Sequence, residues 1–362
     1  MIRKEKVLIC YNEPASIYEN YLGKSSEKQE EKIDLSENEF VAQIDNIKTA
    51  LGKNFENVDV LSIGKNIPLA LTKMKKASPN IIFNFVEAID GNANYESYIA
   101  GIFELLQIEY TGNKALTLGN CLNKSRTKQV LQSFGIKTPN YLLAYLNKKI
   151  EEKKFKLNFP VILKLGKEDA SIGISEFSVA YDFNSMNTQL NFLFKNYKQD
   201  VLIEEYIKGR EINAAILGNR ILPLSEITFK NLPNNLPKIV TYEAKWSEAS
   251  VYYKNTVPVC PAKLDEKTKI KIERMALDAF YAMDCRDYAR VDFRLSKNNT
   301  PYVIEVNPNP DISKDSGFVR SAAAAGITYD EVLYRLAEFA LKRNDNDIQT
   351  AFEAQEAVEN SY

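Results

Sequence analysis

The chain has 362 residues, 45% of them hydrophobic, so it is long enough to build two or three packed units with sizeable apolar cores. Its 47 lysines and arginines balance 48 acidic residues, and the lack of a net positive field argues against nucleic acid or anionic lipid as a partner. It contains no histidine, which excludes Ser-His-Asp and Cys-His nucleophile systems and leaves carboxylates, lysine, arginine, hydroxyls, backbone amides and metal ions for any chemistry.

The first third of the chain alternates short apolar runs with longer segments of helical period. The helical segments are Phe40 to Leu51, Ile67 to Lys76 and Tyr95 to Leu106, and the apolar runs read VLIC, VDVLSI, NIIFNFV and IEYTG. Strands that alternate with helices predict a parallel α/β sheet. The first run covers only Val7 to Cys10, which indicates a strand and not a signal peptide.

Other features of the chain point to a cytoplasmic, non-membrane protein. No apolar run is long enough to cross a bilayer. The cysteines follow no metal or redox spacing, so we expect reduced thiols; they are Cys10, Cys121, Cys260 and Cys285. The stretch SSEKQEEK at 25–32 predicts a charged, flexible insertion.

The rest of the chain predicts further helices and strands. A helix is expected from Leu122 to Ser133, another from Asp265 to Met283 and a last one from Tyr329 to Leu341. Strands are predicted at FPVILKLG, VLIEEYIKG, REINAAILG, YARVDFRL and PYVIEVN, and the chain ends in a polar tail. Neither GxxxxGK[ST] nor GxGxxG occurs, so the two commonest phosphate-binding loops do not apply.

The run YVIEVNPNP carries a carboxylate inside an apolar strand. If it pairs with YARVDFRL as a hairpin turning on Asn298-Asn299, Asp292 faces Glu305 and Arg290 faces Asn307. Two facing carboxylates repel, so a positive group should lie between them, and this oxygen-rich set suits Mg²⁺. The alternative is that Arg290 only neutralises the acids in a structural network.

Two other stretches carry candidate binding groups. Lys164 lies near the end of a β-branched strand and precedes a glycine-bounded polar loop with Ser171, an arrangement that can bind phosphate. A lone strand lysine is more often an edge or snorkelling residue. The strand with Glu204, Glu205 and the following Glu211 is, by itself, an ordinary acidic edge.

The order of these pieces resembles the ATP-grasp ligases, and specifically the relatives of D-alanine–D-alanine ligase. The resemblance covers most of residues 80 to 340. Its motifs are LQIEYTGNKALTLGNCLNKSRTKQVLQSFGIKTPNYLL, FPVILKLGKEDASIGIS, VLIEEYIKGREINAAILG, YEAKW, VPVCPAKL and YARVDFRL…PYVIEVNPNPDIS.

The resemblance implies roles for individual residues. Arg290 would stabilise charge on the reacting carboxyl, Ser171 would contact phosphate within a lid from Lys167 to Ile174, and Mg²⁺, or Mn²⁺ in its place, would assist ATP. The implied ATP-binding residues are Lys124, Lys164, Ser171, Glu204, the backbone of Glu205 and Ile207, Glu211 and Lys245. The implied metal ligands are Asp292, Glu305 and Asn307, and the implied substrate contacts are Glu13, Arg290 and Ser316.

The resemblance also implies an architecture. We expect a parallel-sheet domain at 1–118, followed by a two-lobed ATP-grasp fold with antiparallel sheets. Its small subdomain with the lid would occupy 119–206 and its metal-binding lobe 207–343, with a polar tail at 344–362. ATP would lie between the last two units, as ligands commonly do at domain junctions.

The implied activity is ATP-dependent formation of an amide from a carboxylate and an amine, through an acyl phosphate, as in peptidoglycan precursor synthesis. The substrates would be small and amino-acid-like, and homodimers are common in the family. The first-substrate side departs from the family pattern, because FNFVEAIDGNANYES lacks its histidine, Ala170 replaces a serine, Trp246 replaces a tyrosine and Glu13 is only a rough match.

Two alternatives therefore remain open. One is the same chemistry on a different acid, such as a secondary-metabolite precursor. The other is a catalytically idle ATP-binding module. The intact Lys164, Arg290, Asp292, Glu305 and Asn307 argue against idleness, since a module without turnover has no need of buried, mutually repelling acids.

Overall fold

A computed structural model of the chain describes residues 2–25, 35 and 40–343. The predicted insertion, beyond residue 25, and the predicted tail at 344–362 lie outside the described residues. None of the described helices is both long and apolar enough to cross a bilayer.

The described chain forms three sheets and their covering helices. The strands are β1 (Arg3–Asn12), β2 (Phe55–Ile63), β3 (Ile81–Phe85), β4 (Glu109–Tyr110), β5 (Tyr141–Ala144), β6 (Val161–Leu165), β7 (Val179–Ala180), β8 (Val201–Glu205), β9 (Gly209–Leu217), β10 (Arg220–Ile221), β11 (Ser225–Thr228), β12 (Val257–Val259), β13 (Tyr288–Ser296) and β14 (Pro301–Asn307). The helices are α1 (Ile44–Gly52), α2 (Ile67–Ala77), α3 (Asn94–Leu105), α4 (Ala115–Leu122), α5 (Lys124–Ser133), α6 (Phe183–Tyr197), α7 (Tyr242–Trp246), α8 (Val251–Asn255), α9 (Glu266–Ala282), α10 (Gly317–Ala324) and α11 (329–343).

The N-terminal sheet has the order β2-β1-β3-β4, and every pair in it is parallel. Its central strand buries the run Val7 to Cys10 completely, because helices cover both faces. The predicted parallel α/β sheet is confirmed.

The middle sheet has the order β5-β8-β6-β7 and is antiparallel. Helix α6 packs one apolar face on it through Met186, Leu190 and Leu193. This helix was not predicted from the sequence; it follows the capping residue Asp182.

The C-terminal sheet has the order β12-β11-β9-β13-β14, with β10 paired to β9, and its pairs are antiparallel. Helix α9 covers one face through Ile272, Ala276 and Ala279. The other face is turned toward the middle sheet, and this leaves a cleft between the two. The predicted mixed fold, with one parallel sheet and two antiparallel sheets, is confirmed.

The N-terminal sheet and the C-terminal sheet share one apolar core. Helix α11 contributes Leu333, Leu336 and Ala337 to the same cluster that contains Val7 and Phe83. The three sheets lie within the predicted ranges 1–118, 119–206 and 207–343, while the division into domains at those boundaries stays a prediction.

One predicted element differs in its bounds. The helix expected from Leu122 to Ser133 begins at Lys124, while Leu122 ends the preceding helix α4. Asn123 leaves the helical conformation between them, and its side chain accepts a hydrogen bond from the Arg126 amide. Asparagine is a preferred N-cap, and the break places Lys124 at the first position of α5.

Candidate active site

A cleft of about 330 Å³ separates the middle sheet from the C-terminal sheet. Most of the residues that the sequence analysis selected line it. They are Lys124, Lys164, Ser171, Glu204, Glu205, Ile207, Glu211, Lys245, Arg290, Asp292, Glu305 and Asn307.

The hairpin of β13 and β14 supplies the acids at the floor of the cleft. Asp292 pairs with Glu305, and Arg290 pairs with Asn307, as the sequence predicts. The register shifts by one residue just beyond the acids, where Phe293 pairs with Val303 and leaves Ile304 as a bulge. Ile304 and Glu305 both line the cleft, as expected when a bulge turns successive side chains to one side.

Arg290 neutralises Asp292 through two hydrogen bonds of 2.8 Å, one to each carboxylate oxygen. Asn213, opposite Asp292 on β9, donates to its Oδ1 at 2.6 Å, and Asn307 donates to its Oδ2 at 3.0 Å. Arg290 therefore neutralises Asp292 as the structural alternative expects. The side-chain oxygen of Asn307 makes no hydrogen bond within the described part of the chain, so it is free to act as an oxygen donor.

Glu305 is neutralised from the other side of the cleft. Its carboxylate lies 3.1 Å from Lys124 Nζ, which is also 3.0 Å from Asp169 and donates to the Glu168 carbonyl at 2.5 Å. Burial opposes ionisation of Glu305, but the ammonium groups of Lys124 and Lys164 outweigh it and hold the pKa at about 2. The carboxylate is therefore charged at neutral pH and can bind a cation.

Glu204 lies beneath the lysines and is only 1% exposed. Lys164 Nζ is 2.5 Å from one of its oxygens, and Lys128 Nζ is 2.7 Å from the other. Burial alone would raise the pKa of Glu204, but the two ammonium groups lower it below its usual value. The arrangement fixes Lys164 toward the cleft.

The lid, residues 167–174, crosses the mouth of the cleft. Ala170 and Ser171 have φ values of 52° and 62°, a left-handed conformation that non-glycine residues rarely adopt. Trp246 Nε1 donates to the Ala170 carbonyl at 3.3 Å. The Ser171 side chain thus lines the cleft from a strained turn.

A segment that follows β1, residues 17–24, lies against the lid, and we call it the strap. Tyr18 donates to the Glu168 carboxylate at 2.6 Å, and the Tyr21 carbonyl accepts from the Gly173 amide at 2.9 Å. Gly23 has φ +72°, and a Cβ there would lie 2.1 Å from the Gly173 oxygen. Lys24 ends the strap with ion pairs of 2.6 Å to Glu243 and 3.2 Å to Glu176. The close approach of the two backbones requires glycine at position 23.

The far end of the cleft is held by Arg294. Its guanidinium donates to Glu211 at 3.1 Å and to the Ile207 carbonyl at 3.1 Å. The Glu205 side chain points outward, where Asn140 and Asn158 donate to it at 3.0 and 2.8 Å. Backbone groups and acids therefore meet at this end, as the predicted nucleoside contacts require.

The remaining predicted residues differ in position. Lys245 lies on α7 at the cleft and is exposed to it. Ser316 is the N-cap of α10 and accepts from the Val319 amide at 3.2 Å, one residue from the cleft-lining Gly317. Glu13 is exposed just after β1, and its carboxylate accepts a hydrogen bond from the Ser62 hydroxyl at 3.4 Å. Glu13 is thus not brought to the cleft, and its proposed substrate contact stays a prediction without geometric support.

The donor set fits a magnesium ion that is bound mainly through its substrate. Within the described ranges no three Cys, Asp or Glu side chains gather as a preformed metal centre. Asp292, Glu305 and Asn307 offer three side chains with oxygen ligands. Mg²⁺ typically takes one or two carboxylates and completes its shell with phosphate oxygens and water, so these residues fit that ion.

Two residues that line the cleft, and one buried residue that supports it, were not found from the sequence. Asn213 lines the cleft beside Asp292, Arg294 holds Glu211, and Lys128 pairs with Glu204. Arg294 shares a strand face with Arg290 and Asp292, so the alternation in YARVDFRL could have indicated it. Lys128 carries no such signal, since a lysine in a polar helix is normally solvated.

Comparisons with known proteins agree with this geometry. A family model described as the D-ala D-ala ligase C-terminus matches residues 130–338. The chain is 31% identical over 327 residues to a D-alanine–D-alanine ligase of Bacillus anthracis, covering 88% of this chain and 95% of that one. It is 32% identical over 279 residues to an uncharacterized protein of Sinorhizobium fredii, covering 76% and 77%.

Solved structures show the same fold. The crystal structure of the Bacillus anthracis D-alanine–D-alanine ligase complexed with ATP matches with a TM-score of 0.67 at 24% identity, covering 95% of this chain and 99% of that one. The ligase from Coxiella burnetii matches with a TM-score of 0.65 at 19% identity, covering 98% and 99%.

Proposed function

Because the chain belongs to the D-alanine–D-alanine ligase family, and is an ATP-dependent ligase of that type, we propose that its cleft joins two amino-acid-like substrates through an acyl phosphate. The observation that carries this proposal is the meeting of Asp292, Glu305 and Arg290 with Lys124 and Lys164 in one cleft. Carboxylates, a guanidinium and lysines on facing sheets are the groups that phosphoryl transfer requires.

The lysines bind the triphosphate in this proposal. Lys124, Lys164 and Lys245 neutralise phosphate oxygens from three elements, and the lid adds the Ser171 hydroxyl and backbone amides. The Glu211 side chain and the backbone of Glu205 and Ile207 contact the nucleoside at the other end. Glu204 contributes indirectly, since its ion pair with Lys164 positions that ammonium group.

Asp292, Glu305 and Asn307 would hold Mg²⁺, which supplies charge neutralisation on the transferred phosphoryl group. Arg290 binds the substrate carboxylate and stabilises the negative charge that develops when the amine attacks its carbonyl carbon. The lid excludes water, because an acyl phosphate open to solvent would hydrolyse. The carboxyl oxygen leaves as part of phosphate, and the products are an amide, ADP and phosphate.

A second candidate is the same chemistry on an acid other than D-alanine. The exposed position of Glu13, away from the cleft, favours it. An idle ATP-binding module is less favoured, because the cleft keeps the acids and their cations together.

The test is a coupled ADP-release assay with Mg²⁺ over a panel of D- and L-amino acids, followed by mass spectrometry of the product. We expect amino acids to stimulate ADP release and the product mass to equal two amino acids less one water. A product that contains a different acid would favour the second candidate. ADP release that no acid or amine stimulates would contradict ligase function.

A further inference from the structure

Arg320 is a cation of the cleft that the proposed mechanism does not use. The lysines and arginines that line the cleft, among the described residues, are Lys124, Lys164, Lys245, Arg290, Arg294 and Arg320. Four of them lie within ion-pair distance of a carboxylate, and Lys245 is assigned to phosphate. The remaining one, Arg320, is half-buried and forms no ion pair with a described residue.

Most of the hydrogen-bonding capacity of Arg320 is also unused. Within the described part of the chain its guanidinium makes one hydrogen bond, which Nη2 donates to the Asp315 carbonyl at 2.8 Å. A guanidinium has five N–H donors in a planar fork that matches a carboxylate. A half-buried arginine that faces a cleft with most of its donors free is therefore suited to an anionic ligand.

Helix α10 places Arg320 at the β12 edge of the C-terminal sheet. Phe318 packs edge-on against the Tyr288 ring of β13, with 5.6 Å between ring centroids. Ser321 Oγ lies 3.8 Å from the sulfur of Cys260, which follows β12. The helix therefore crosses the end of the sheet from β13 toward β12. Burial raises the pKa of the Cys260 thiol, and the positive charge of Arg320 partly offsets this, as expected for neighbouring groups.

The cleft is open between Arg290 and Arg320. Gly317 and Arg320 are three positions apart on α10 and both line the cleft, so they share one side of the helix. A Cβ at Gly317 would meet no other atom within 4 Å, so the absence of a side chain there leaves free space. A ligand can therefore extend from Arg290 past Gly317 to Arg320.

This path is longer than a small amino acid. Two strands, β9 and β11, lie between β13, which carries Arg290, and β12. Neighbouring strands are about 4.8 Å apart, so the backbones of β13 and β12 are about 14 Å apart. The two arginine side chains shorten the gap, but alanine has only one carbon between its nitrogen and its carboxylate. An anionic group at Arg320 therefore belongs to a longer substrate.

The amine is the substrate that fits this side of the cleft. In the proposed reaction Arg290 holds the acid, and the transferred phosphate lies toward Glu305 on β14, on one side of β13. The amine has to reach the acyl carbon from a side that the departing phosphate does not occupy. Gly317 and Arg320 lead to β12, on the other side of β13, and this is the open approach.

We propose that Arg320 binds a second carboxylate, which the amine substrate carries several bonds from its reacting nitrogen. The acceptor class is therefore an acidic amino acid, or another amine with a remote carboxylate. The side-chain amide of the same shape should be a poor acceptor, because it has no negative charge and offers one oxygen in place of two. This inference rests on the proposed ligase function of the cleft.

The experiment follows amide formation by the full chain with ATP, Mg²⁺ and an acid that stimulates ADP release. The acceptors are D- and L-alanine and three matched pairs in both configurations: aspartate with asparagine, glutamate with glutamine, and α-aminoadipate with its side-chain amide. Mass spectrometry identifies each product. The first half-reaction is measured separately with hydroxylamine, whose nitrogen attacks the acyl carbon as phosphate leaves, and the hydroxamate formed is quantified.

We expect kcat/KM for at least one acidic acceptor to exceed that for its amide and for alanine by about tenfold or more. Arg320→Met, which removes the charge, should lower kcat/KM for that acceptor by about tenfold or more. Arg320→Lys keeps a charge and should lower it by less. The losses in Arg320→Met should be several-fold smaller for the matched amide and for hydroxamate formation, which needs no amine substrate.

The control is Arg274→Met, an exposed arginine on α9, which should change none of these values. Thermal unfolding shows whether each variant is folded, and the comparison of each acid with its amide needs no variant at all.

The outcomes separate the two proposals. Three results overturn the assignment of Arg320 and leave ligase function standing: no preference for the acid in any pair, equal losses for acid and amide in Arg320→Met, or an equal loss of hydroxamate formation. The absence of hydroxamate and of stimulated ADP release with every acid contradicts the ligase proposal and this inference together.

Discussion

Glu305 is the carboxylate on which the proposed chemistry depends most directly. Glu305→Gln should lower turnover by about a hundredfold or more, because an amide cannot balance the cation that the phosphates require. The fold should persist, since Lys124 keeps Asp169 as an ion-pair partner. ADP release measures the loss and circular dichroism the fold. Glu266→Gln is the control, and near-normal turnover in Glu305→Gln would contradict the metal assignment.

Glu204 supports a different prediction, because it is buried between Lys128, which is buried too, and Lys164, which is half-buried at the cleft. Glu204→Gln should reduce the free energy of unfolding by about 3 kcal/mol, since breaking one partner out of a buried ion pair leaves uncompensated charge. Turnover should fall as well, because Lys164 loses the group that positions it. Urea unfolding and ADP release measure the two effects.

A double variant sharpens the test at Glu204. Adding Lys128→Met to Glu204→Gln removes the stranded ammonium group and should recover part of the lost stability. The exposed Glu248→Gln should change neither stability nor turnover by much. If the double variant is as unstable as the sum of its single variants, the charge argument is wrong.

At the residue scale, local rules of the sequence predicted the groups that meet across the hairpin but not Lys128, which pairs with Glu204. Asp292 and Glu305 follow from strand alternation and pairing, which are local rules. The contact of Lys128 with Glu204 depends on how α5 packs against the middle sheet, and no local pattern encodes it. Glu13 was assigned from its position in a family motif, but it does not lie at the cleft, because a motif position does not specify where a loop places its side chain.

Among the elements, the hairpin was predicted for a partly incorrect reason. A two-residue turn on Asn298-Asn299 would produce the observed pairing without irregularity. In the structure the strands end at Ser296 and begin again at Pro301, and the bulge at Ile304 restores the pairing of Asp292 with Glu305. Without the bulge, the observed turn between Ser296 and Pro301 would set Asp292 opposite Ile304. Glu305 would then point to the face of the sheet away from the cleft.

The strap leads to a prediction about the lid. Tyr18→Phe removes the hydrogen bond of 2.6 Å to Glu168. We expect this loss to lower the free energy of lid opening by about 1 kcal/mol, so the open lid is populated more often. Hydrogen exchange should therefore accelerate by about fivefold at residues 167–174. ADP release without an amine acceptor should rise, since water reaches the acyl phosphate.

The control for the strap is Tyr281→Phe, an exposed tyrosine on α9. It should leave exchange in the lid unchanged. Unaltered lid exchange in Tyr18→Phe would show that the strap only packs against the lid and does not restrain it. The strap could not be predicted from the sequence, because ASIYENYLGK has no strand or helix period and its partners lie about 150 residues away.

For the whole molecule, Arg343 joins two of the three sheets. It donates to Glu109 at 2.8 Å, to Asp287 at 2.6 Å and to the Tyr110 carbonyl at 2.7 Å. Arg343→Ala should lower the free energy of unfolding by about 3 kcal/mol, because Asp287 is buried and keeps no other cation at this distance within the described chain.

Urea unfolding measures the effect of Arg343→Ala. Arg335→Ala, which removes a surface pair with Glu331, is the matched control and should cost about 0.5 kcal/mol or less. A similar small loss for both variants would contradict the view that Arg343 stabilises the junction. The sequence predicted the helix that ends near Arg343, but not that its apolar face completes the core of the first sheet.

The shared core has a consequence for motion. The N-terminal and C-terminal sheets are fused through α11 and Arg343, so they should behave as one rigid base. The middle sheet joins that base through the stretches before β5 and after β8, and through side-chain contacts such as those of the strap and of Trp246 with the lid. Nucleotide exchange should therefore require a hinge rotation of the middle sheet alone. The hydrogen bonds between the strap and the lid should break before that rotation.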